Sequence, residues 1–328
     1  MPINELRTDL LTGRQVIIAE GRRMRPVQTY SCAEVLSVAD DPFLEGNEPE
    51  TPHECLALRQ VNSEQDAPGW LVRVVPNRYP AVRPLNADDA SLSGVHDVVL
   101  ECPDFRTRLA NLSVLETARV IRAWQLRVSQ INELTAGDTG TLYVFRNEGR
   151  AAGASLAHCH SQILWLPRCA NNQQDVDVRL RKWVQTELDA AERVLLCDDE
   201  LVVVCPYGAR VSWHTRITSS AEIPFDELSE SVILNLARWL QGLVRRVESL
   251  IGEFPHNLTL SFSGRNWHLD FLPRTGGLAG LELMSELDLV TLSPESAACE
   301  LRDCLGELST GADGLIVPDS YSWRTGAD

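Results

Sequence analysis

Residues 141–168 read TLYVFRNEGRAAGASLAHCHSQILWLPR, a stretch with two apolar ends and a centre of small residues. Its two ends, TLYVFRN and HCHSQILWL, are rich in aliphatic, aromatic and β-branched residues, which favours strands. Between them lie Gly149 and Gly153 with alanines around them, which is typical of a loop. The stretch therefore predicts a strand, a loop of small residues and a second strand.

A long helix is predicted before this stretch. Ser113 has the form of an N-cap, with Glu116 three residues later as its capping-box partner. Apolar residues then recur with helical spacing from Val114 to Ile131. Further upstream, the hydrophobic pattern predicts strands at 16–19, 70–75 and 96–101, with a polar stretch up to about Ala67.

The second half of the chain repeats this plan. It contains a strand in LVVVCPYG, a helix from Leu228 to Leu250, and strands in LTLSFSG and HLDFLPR. Both halves close on a similar phrase, WLPR at 165–168 and FLPR at 271–274. The pattern predicts an α+β fold built by internal duplication, although coincidence is the alternative for so short a match. Domain boundaries are predicted at 1–170 and 171–328, with a charged bridging helix in NNQQDVDVRLRKWVQTELDAAER and another helix beginning at Ser293 and Pro294.

Composition excludes several classes of protein. The 328 residues carry a formal charge of −16, which argues against general nucleic-acid binding and leaves an anionic substrate to a local basic cluster. Arg22, Arg23 and Arg25 form such a cluster, or else a solvated turn. The absence of a long apolar run or a secretory leader predicts a cytoplasmic protein without a membrane partner. Nine singly placed cysteines favour reduced thiols.

Three polar side chains are expected to share one face of the strand in HCHSQILWL. Side chains alternate along a strand, so His158, His160 and Gln162 point to one side, and Cys159 and Ser161 to the other. A neutral imidazole is a good nucleophile near pH 7, and His160 is the central candidate. Its attack on a nucleotide phosphorus would give a nucleotidyl-histidine, with Gln162 as a neutral donor to the phosphoryl oxygens. Two structural or metal-binding histidines are the alternative.

The loop before this strand favours the catalytic interpretation. Glycine allows main-chain amides to approach a phosphate closely, and both Gly149 and Gly153 precede the histidines. Ser155 supplies a hydroxyl, and Asn147 an amide for a sugar or a phosphate. Such a loop is weak evidence alone, but it is much more specific when it leads into HxHxQ.

These residues carry a resemblance to galactose-1-phosphate uridylyltransferases, a branch of the histidine-triad superfamily. FRNEGRAAGASLAHCHSQ is similar to their active-site segment without a gap. Further similar segments follow the same order along the chain: RTDLLTGRQVIIAEGRRMRP, DPFLEGNEPETP (their CPFCxGNExxTP), VVPNRYPAV (their NxxPA) and GGLAGLELMSELDLVTLSPESAACELR. The last of these is most similar to ADP-glucose phosphorylase-like members.

The resemblance implies a fold, a reaction and a site. The fold is two histidine-triad-like domains, each an antiparallel sheet flanked by helices, the second lacking the HxH pair. The reaction is a ping-pong exchange of a nucleoside monophosphate between a nucleotide sugar and a sugar 1-phosphate, in a homodimer whose partner completes the site. His160 is implied as the nucleophile and Gln162 as the group that steadies the intermediate. Six positions are implied to hold the nucleotide: Arg22, Arg25, Asn77, Asn147, Gly153 and Ser155.

The same resemblance predicts that no cofactor is bound. The family's zinc ligands correspond here to Asp41, Leu44, Phe105 and His158, and leucine and phenylalanine cannot bind zinc. Freed from zinc, His158 is expected to orient His160 or to bond a phosphate oxygen. A second family metal site is incomplete, because its HxHFYPP phrase is HLDFLPR here, with His268 and Asp270. The other histidines, including His53, His96, His214 and His256, are read as structural.

Three functions remain open at this stage. The first is transfer of UMP between UDP-hexose and hexose 1-phosphate. The second is a phosphorylase or hydrolase of ADP-sugars or dinucleoside polyphosphates, which the C-terminal resemblance supports. The third is a nucleotide-binding protein without catalysis, which only the altered metal positions support.

Overall fold

The structure is a computed structural model that describes residues 5–20, 41–85, 93–136, 138, 140–167, 176–263, 266–277 and 279–308. Within these ranges, no helix is both long and apolar enough to cross a bilayer. The predicted basic cluster at Arg22, Arg23 and Arg25 lies outside the described residues.

The first half of the chain alternates short strands with one long helix. In order, its elements are β1 (Glu5–Thr8), β2 (Gln15–Ile18), β3 (Leu56–Arg59), β4 (Trp70–Pro76), β5 (Arg83–Pro84), β6 (Ser93–Leu100), α1 (Val114–Leu134), β7 (Gly140–Glu148) and β8 (His160–Pro167). The predicted capping box begins α1, since Ser113 Oγ accepts from Glu116 N at 3.2 Å and Glu116 Oε2 accepts from Ser113 N at 2.7 Å.

The second half follows the same plan after a bridging helix. Its elements are α2 (Val176–Ala190), β9 (Val194–Cys197), β10 (Leu201–Val204), β11 (Thr215–Ser219), α3 (Glu230–Ile251), β12 (His256–Ser263), β13 (Asn266–Pro273), α4 (Gly280–Ser285), β14 (Asp288–Val290) and α5 (Pro294–Leu308). The sequence did not predict β1, β3, β9, β11 or β14, because three to five residues are too few to establish a period. β3 corrects the polar stretch expected up to about Ala67.

Eleven strands of the described chain form one sheet in the order β3-β4-β6-β8-β7-β12-β13-β11-β10-β9, with β5 beside β6. Every neighbouring pair along that order is antiparallel. A smaller sheet joins β1 and β2, near the start of the described chain, to β14, which comes shortly before α5. The predicted α+β fold with antiparallel sheets is confirmed.

The large sheet has the same chain order in both halves. From its outer edges to its centre, the order is β3-β4-β6-β8-β7 on one side and β9-β10-β11-β13-β12 on the other. α1 stands between β6 and β7, and α3 between β11 and β12. We propose that these halves are the predicted domains, 1–170 and 171–328, joined where β7 pairs with β12.

Two glutamines reinforce this correspondence. Gln125 in α1 donates to the carbonyls of Phe225 and Leu228, before α3, at 3.0 and 2.9 Å. Reciprocally, Gln241 in α3 donates to the carbonyl of Leu109, before α1, at 2.8 Å. Each glutamine lies twelve residues after its helix's capping serine (113 to 125, and 229 to 241). Each helix therefore binds the segment that precedes the other helix, and the two sets of contacts correspond.

The two faces of β8 have different surroundings. Cys159 and Ile163 join the main apolar core with α1, and Ser161 Oγ accepts from the indole of Trp124 at 2.8 Å. Side chains of even-numbered residues point away from α1, as strand alternation predicts. His160 and Gln162 are thus anchored by a rigid strand but face the side opposite the core helix.

Candidate active site

His160 lies at the first position of β8 and keeps 6% of its surface accessible. Its Nδ1 lies 2.8 Å from the main-chain oxygen of His158. A carbonyl oxygen can only accept, so Nδ1 carries the proton and a neutral ring has its lone pair on Nε2. Burial lowers the pKa of His160 below 6.5, although its bond to the carbonyl opposes the shift. The result favours a neutral imidazole whose lone pair lies on Nε2.

The His158 ring is occupied by two partners of its own. Nδ1 lies 2.5 Å from Asp41 Oδ2, and Nε2 lies 2.9 Å from the main-chain oxygen of Cys102. Each ring nitrogen of His158 therefore faces an oxygen, one from a side chain and one from the main chain. It is therefore the main chain of His158, and not its ring, that bonds to His160.

Phe43 packs edge-on against both histidines. Its ring centroid lies 6.1 Å from that of His158 and 5.4 Å from that of His160. Asp41 Oδ1 accepts from the main-chain nitrogen of Phe43 at 3.0 Å. The segment 41–43 thus supplies a carboxylate partner for His158 and an apolar ring that packs against both histidines.

Gln162 bonds to a histidine from the neighbouring strand. Its Oε1 lies 2.8 Å from Nε2 of His96 in β6. Asn77 Nδ2 lies 3.2 Å from the same nitrogen, and Ala81 N donates to His96 Nδ1 at 2.9 Å. His96 therefore lies between two amides, Asn77 and Gln162, which are far apart in the sequence.

The glycine-bearing loop begins where β7 ends beside β8. Arg146 pairs with Ser161, so Asn147 comes next to the start of β8. Asn257 Nδ2 donates to Asn147 Oδ1 and to the carbonyl of Ala152, both at 2.8 Å. Gly153 ends a short turn with φ +90°, a left-handed conformation that favours glycine. A residue of the second half therefore holds the loop in place.

The predicted site residues fall into three groups. His158, His160, Gln162, Asn77 and Asn147 are brought together by β7, by β8 with the residues that lead into it, and by the contacts of His96. Gly153 and Ser155 are exposed on the adjoining loop. Arg22 and Arg25 lie outside the described residues.

A buried ion-pair network lies behind the site. Arg146 Nε donates to Glu101 at 2.9 Å, and its Nη1 donates to Glu148 at 2.6 Å. The same guanidinium donates to Cys159 Sγ at 3.4 Å. Burial disfavours the charged arginine, but the two carboxylates outweigh it and raise the pKa of Arg146. The network ties β6, β7 and the start of β8 together at the level of His160.

Sequence reasoning missed Phe43 and Asn257 and assigned His96 only a structural role. The sequence around His96 does not indicate that its ring contacts Gln162, 66 residues later in the chain. Main-chain partners such as the carbonyl of Cys102 have no sequence signature at all. The segment HDVVLE does predict β6, and its first residue, His96, is a polar side chain that could have been tested as a site residue.

Comparison with known families tests the predicted resemblance. Residues 80–168, which include β6, β7 and β8, match the family described as galactose-1-phosphate uridyl transferase, N-terminal domain. The resemblance to the galactose-1-phosphate uridylyltransferase family is confirmed.

Similarity extends well beyond that segment. An ADP-glucose phosphorylase of Arabidopsis thaliana is 24% identical over 331 aligned positions, covering 91% of this chain and 92% of the relative. A galactose-1-phosphate uridylyltransferase of Thermotoga maritima is 23% identical, covering 91% and 98%. These comparisons support a nucleotidyltransferase or a phosphorylase of sugar nucleotides.

Solved structures have the same fold. The Arabidopsis thaliana ADP-glucose phosphorylase with bound ADP-glucose aligns with a TM-score of 0.75 at 22% identity, covering 92% of this chain and 99% of that one. A uridylyltransferase structure aligns with a TM-score of 0.62 at 19% identity, covering 93% and 99%.

The family's zinc does not fit the residues found here. Of the four positions, Leu44 and Phe105 offer no ligand atom, and both nitrogens of His158 are bonded, to Asp41 and to a carbonyl. The Phe105 ring instead packs edge-on to His158, with centroids 6.1 Å apart. In the described ranges, no group of three or more His, Cys, Asp or Glu is arranged to hold a metal ion.

Asp270, at the phrase that matches the family's second metal site, is held by a guanidinium. Arg216 donates to both oxygens of Asp270, at 2.6 and 3.1 Å, and to Asp9 at 3.2 Å. His214 Nε2 also lies 3.2 Å from Asp270. Burial lowers the pKa of His268 to about 4. Because the carboxylates already hold a fixed cation, these residues do not fit a metal either.

Proposed function

We propose that this chain is a nucleotidyltransferase that acts on nucleotide sugars through a covalent nucleotidyl-His160 intermediate. One observation carries the proposal: His160 Nδ1 is committed to the carbonyl of His158 at 2.8 Å, which leaves Nε2 as the nucleophile. Its place beside Gln162, and the similarity to enzymes of nucleotide sugars, support the same assignment.

In the first step, Nε2 of His160 attacks the phosphorus next to the nucleoside. An N–P bond forms, and the bond from that phosphorus to the bridging oxygen breaks. The bridging oxygen takes the electron pair and leaves as part of a sugar 1-phosphate. Positive charge develops on the imidazole and strengthens its bond to the carbonyl of His158. His158 thus acts as a positioning residue through its main chain, supported by Asp41.

In the second step, an oxygen of an acceptor phosphate attacks the same phosphorus. The N–P bond breaks, and its electron pair returns to Nε2. Gln162 is an amide and cannot deliver a proton, so it stabilises the phosphoryl oxygens without activating water. The intermediate therefore persists until an acceptor phosphate binds.

Two substrate pairs satisfy this mechanism. The first is a UDP-hexose with a hexose 1-phosphate, the exchange of UMP that the active-site motif predicts. The second is ADP-glucose with inorganic phosphate, a phosphorylase reaction. The similarity to ADP-glucose phosphorylase over nearly the whole chain favours it specifically.

The remaining site residues are assigned to the nucleotide. We infer that the nucleotide and its phosphates are held by Arg22, Arg25, Asn77, Asn147, Gly153 and Ser155. A homodimer whose partner completes the site is part of this proposal, as the family resemblance implies.

The test uses trapping of the covalent intermediate. The protein is incubated with α-32P-labelled UDP-glucose or ADP-glucose and quenched in alkali, because phosphoramidates are acid-labile. We expect acid-labile label on the wild-type chain and none on His160→Gly. Absence of label with every nucleotide sugar tried would overturn the proposal in favour of nucleotide binding without catalysis.

The acceptor distinguishes the substrate pairs. Labelled protein is separated from the nucleotide sugar and mixed with galactose 1-phosphate or with inorganic phosphate. Discharge by the hexose phosphate alone identifies the transferase, and discharge by phosphate identifies the phosphorylase. Discharge by water alone would contradict the role given to Gln162.

A further inference from the structure

His96 occupies a position between two amides of the site. It lies in β6, where it faces Leu164 of β8 in the main-chain register, while its ring reaches Gln162. Nε2 lies 2.8 Å from Gln162 Oε1 and 3.2 Å from Asn77 Nδ2, and Nδ1 lies 2.9 Å from Ala81 N. Each of these three contacts constrains where the ring carries its proton.

The contact with Ala81 fixes the tautomer. A main-chain N–H can only donate, so Nδ1 of His96 must accept and carries no proton. A neutral ring then has its proton on Nε2, and Nε2 donates. The oxygen of Gln162 is the acceptor beside it.

Asn77 is excluded as a partner of that proton. Its Oδ1 accepts from Tyr79 N at 2.8 Å, so the nitrogen of its amide is the atom that faces His96. Two N–H groups cannot bond to each other. Nε2 therefore gives its one proton to Gln162, and the Asn77 amide keeps its hydrogens for another acceptor.

We propose that His96 is a positioning residue that sets the orientation of the Gln162 amide. An amide side chain can turn over, which exchanges its oxygen and its nitrogen. Donation from His96 holds the oxygen at β6, so the nitrogen of Gln162, which shares a strand face with His160, is the atom left to donate. In the described chain, no residue accepts a hydrogen bond from that nitrogen.

The consequence concerns the charged oxygens of the substrate. A phosphoryl oxygen needs a donor, and a Gln162 amide turned the other way would present its own oxygen and repel it. His96 removes that wrong orientation before substrate binds. This inference rests on the proposed nucleotidyl transfer, because it assigns Gln162 its donor role in that reaction.

Two substitutions separate this role from a structural one. His96→Gln keeps a donor near the position of Nε2 but loses the acceptor for Ala81. His96→Asn keeps an acceptor near Nδ1 but loses the donor. If His96 acts through Gln162, single-turnover labelling of His160 falls about 10- to 100-fold in His96→Asn and is largely kept in His96→Gln. If His96 only holds the turn at Ala81, the order of the two variants is reversed, which overturns the proposal.

A double-mutant cycle with Gln162→Ala gives a second test, which does not depend on comparing His96→Gln with His96→Asn. Gln162→Ala should slow labelling about 100- to 1000-fold by itself. In that background, His96→Asn should cause no further loss, because its only route to the reaction is gone. A further loss equal to that in the wild-type background would overturn the inference. Thermal melting of each variant checks that the fold is intact. The matched control is His53→Ala, because the side chain of His53 is exposed.

The wild-type protein separates the two levels of the proposal. If it forms no label, the proposed function fails. If it forms label and His96→Asn labels at the wild-type rate, the function stands and the role of His96 fails.

Discussion

Nδ1 of His160 lies 2.8 Å from the main-chain oxygen of His158, so the main chain fixes which nitrogen of the His160 ring carries the proton. A main-chain acceptor does not titrate and cannot be removed by substitution of a side chain. Its position is secured by the His158 ring, which bonds to Asp41 and to the carbonyl of Cys102. These contacts orient the His160 ring through protein groups alone.

The first prediction concerns pH. Burial lowers the pKa of His160 below 6.5, so at any given pH a larger share of this ring is neutral than of a free histidine. The neutral form is the nucleophile. We therefore expect the rate of label formation, measured in single turnovers between about pH 5 and 8, to show an acid limb whose midpoint lies below 6.5. An acid limb with its midpoint above 6.5 would contradict this assignment, and melting at each pH excludes unfolding as its cause.

The second prediction concerns metals. Neither of the family's two metal positions has a ligand set that fits here, since His158 is bonded to Asp41 and Asp270 to Arg216. Dialysis against a strong chelator should therefore leave both the labelling rate and the melting temperature unchanged. Elemental analysis before and after dialysis is the accompanying measurement. Loss of activity that zinc restores would refute the prediction.

The third prediction concerns the buried cation of the second half. Arg216 and Asp9 have fully buried side chains, and Arg216 also lies 5.0 Å over the ring of Trp183. Arg216→Met leaves Asp9 and Asp270 without their cation, and should lower the free energy of unfolding by about 3–5 kcal/mol. The matched control Arg181→Met, which removes an exposed pair with Glu222, should change it by about 0–1 kcal/mol. Equal effects of the two substitutions in urea unfolding would contradict the assignment.

The same cluster has a pH dependence of known sign. Burial opposes ionisation of Asp270, but Arg216 outweighs it and holds the pKa of this carboxyl well below 3.8. A carboxyl with a lowered pKa stabilises the fold above its unfolded pKa and loses that contribution as pH falls toward the folded value. In wild type we expect this contribution to be complete above about pH 4 and to decline in stronger acid. In Arg216→Met this part of the decline should be absent, so the free energy of unfolding in urea should fall less between about pH 4 and stronger acid in the variant than in wild type.

Local features of this fold could be predicted, and distant contacts could not. The capping box of Ser113 and Glu116 and the alternation along β8 depend on spacings of two or three residues, which the sequence displays. β3 and β11 have only four and five residues, and neighbouring strands rather than their own pattern hold them in place. His158 and Asp41 are 117 residues apart, and their contact exists only because the sheet and the segment 41–43 meet.

The fourth prediction concerns a residue that the sequence did not indicate. Asn257 in β12 belongs to the second half, yet its amide nitrogen donates to Asn147 Oδ1 and to the carbonyl of Ala152 at 2.8 Å each. Asn257→Asp keeps the shape but removes both donors and sets a carboxylate against two oxygens. We expect the loop to shift and KM for the nucleotide sugar to rise about tenfold, which corresponds to about 1.4 kcal/mol.

Controls for Asn257 follow from the same contacts. Asn257→Ala also loses both donors but brings no charge, so its effect on KM should be smaller than that of Asn257→Asp. Asn132→Asp, an equivalent change at an exposed position in α1, should leave KM unchanged. Since Asn257 contacts the loop and not His160, the rate of label formation at saturating substrate should fall less than KM rises. A loss confined to that rate, with KM unaltered, would mean that Asn257 does not act through Asn147.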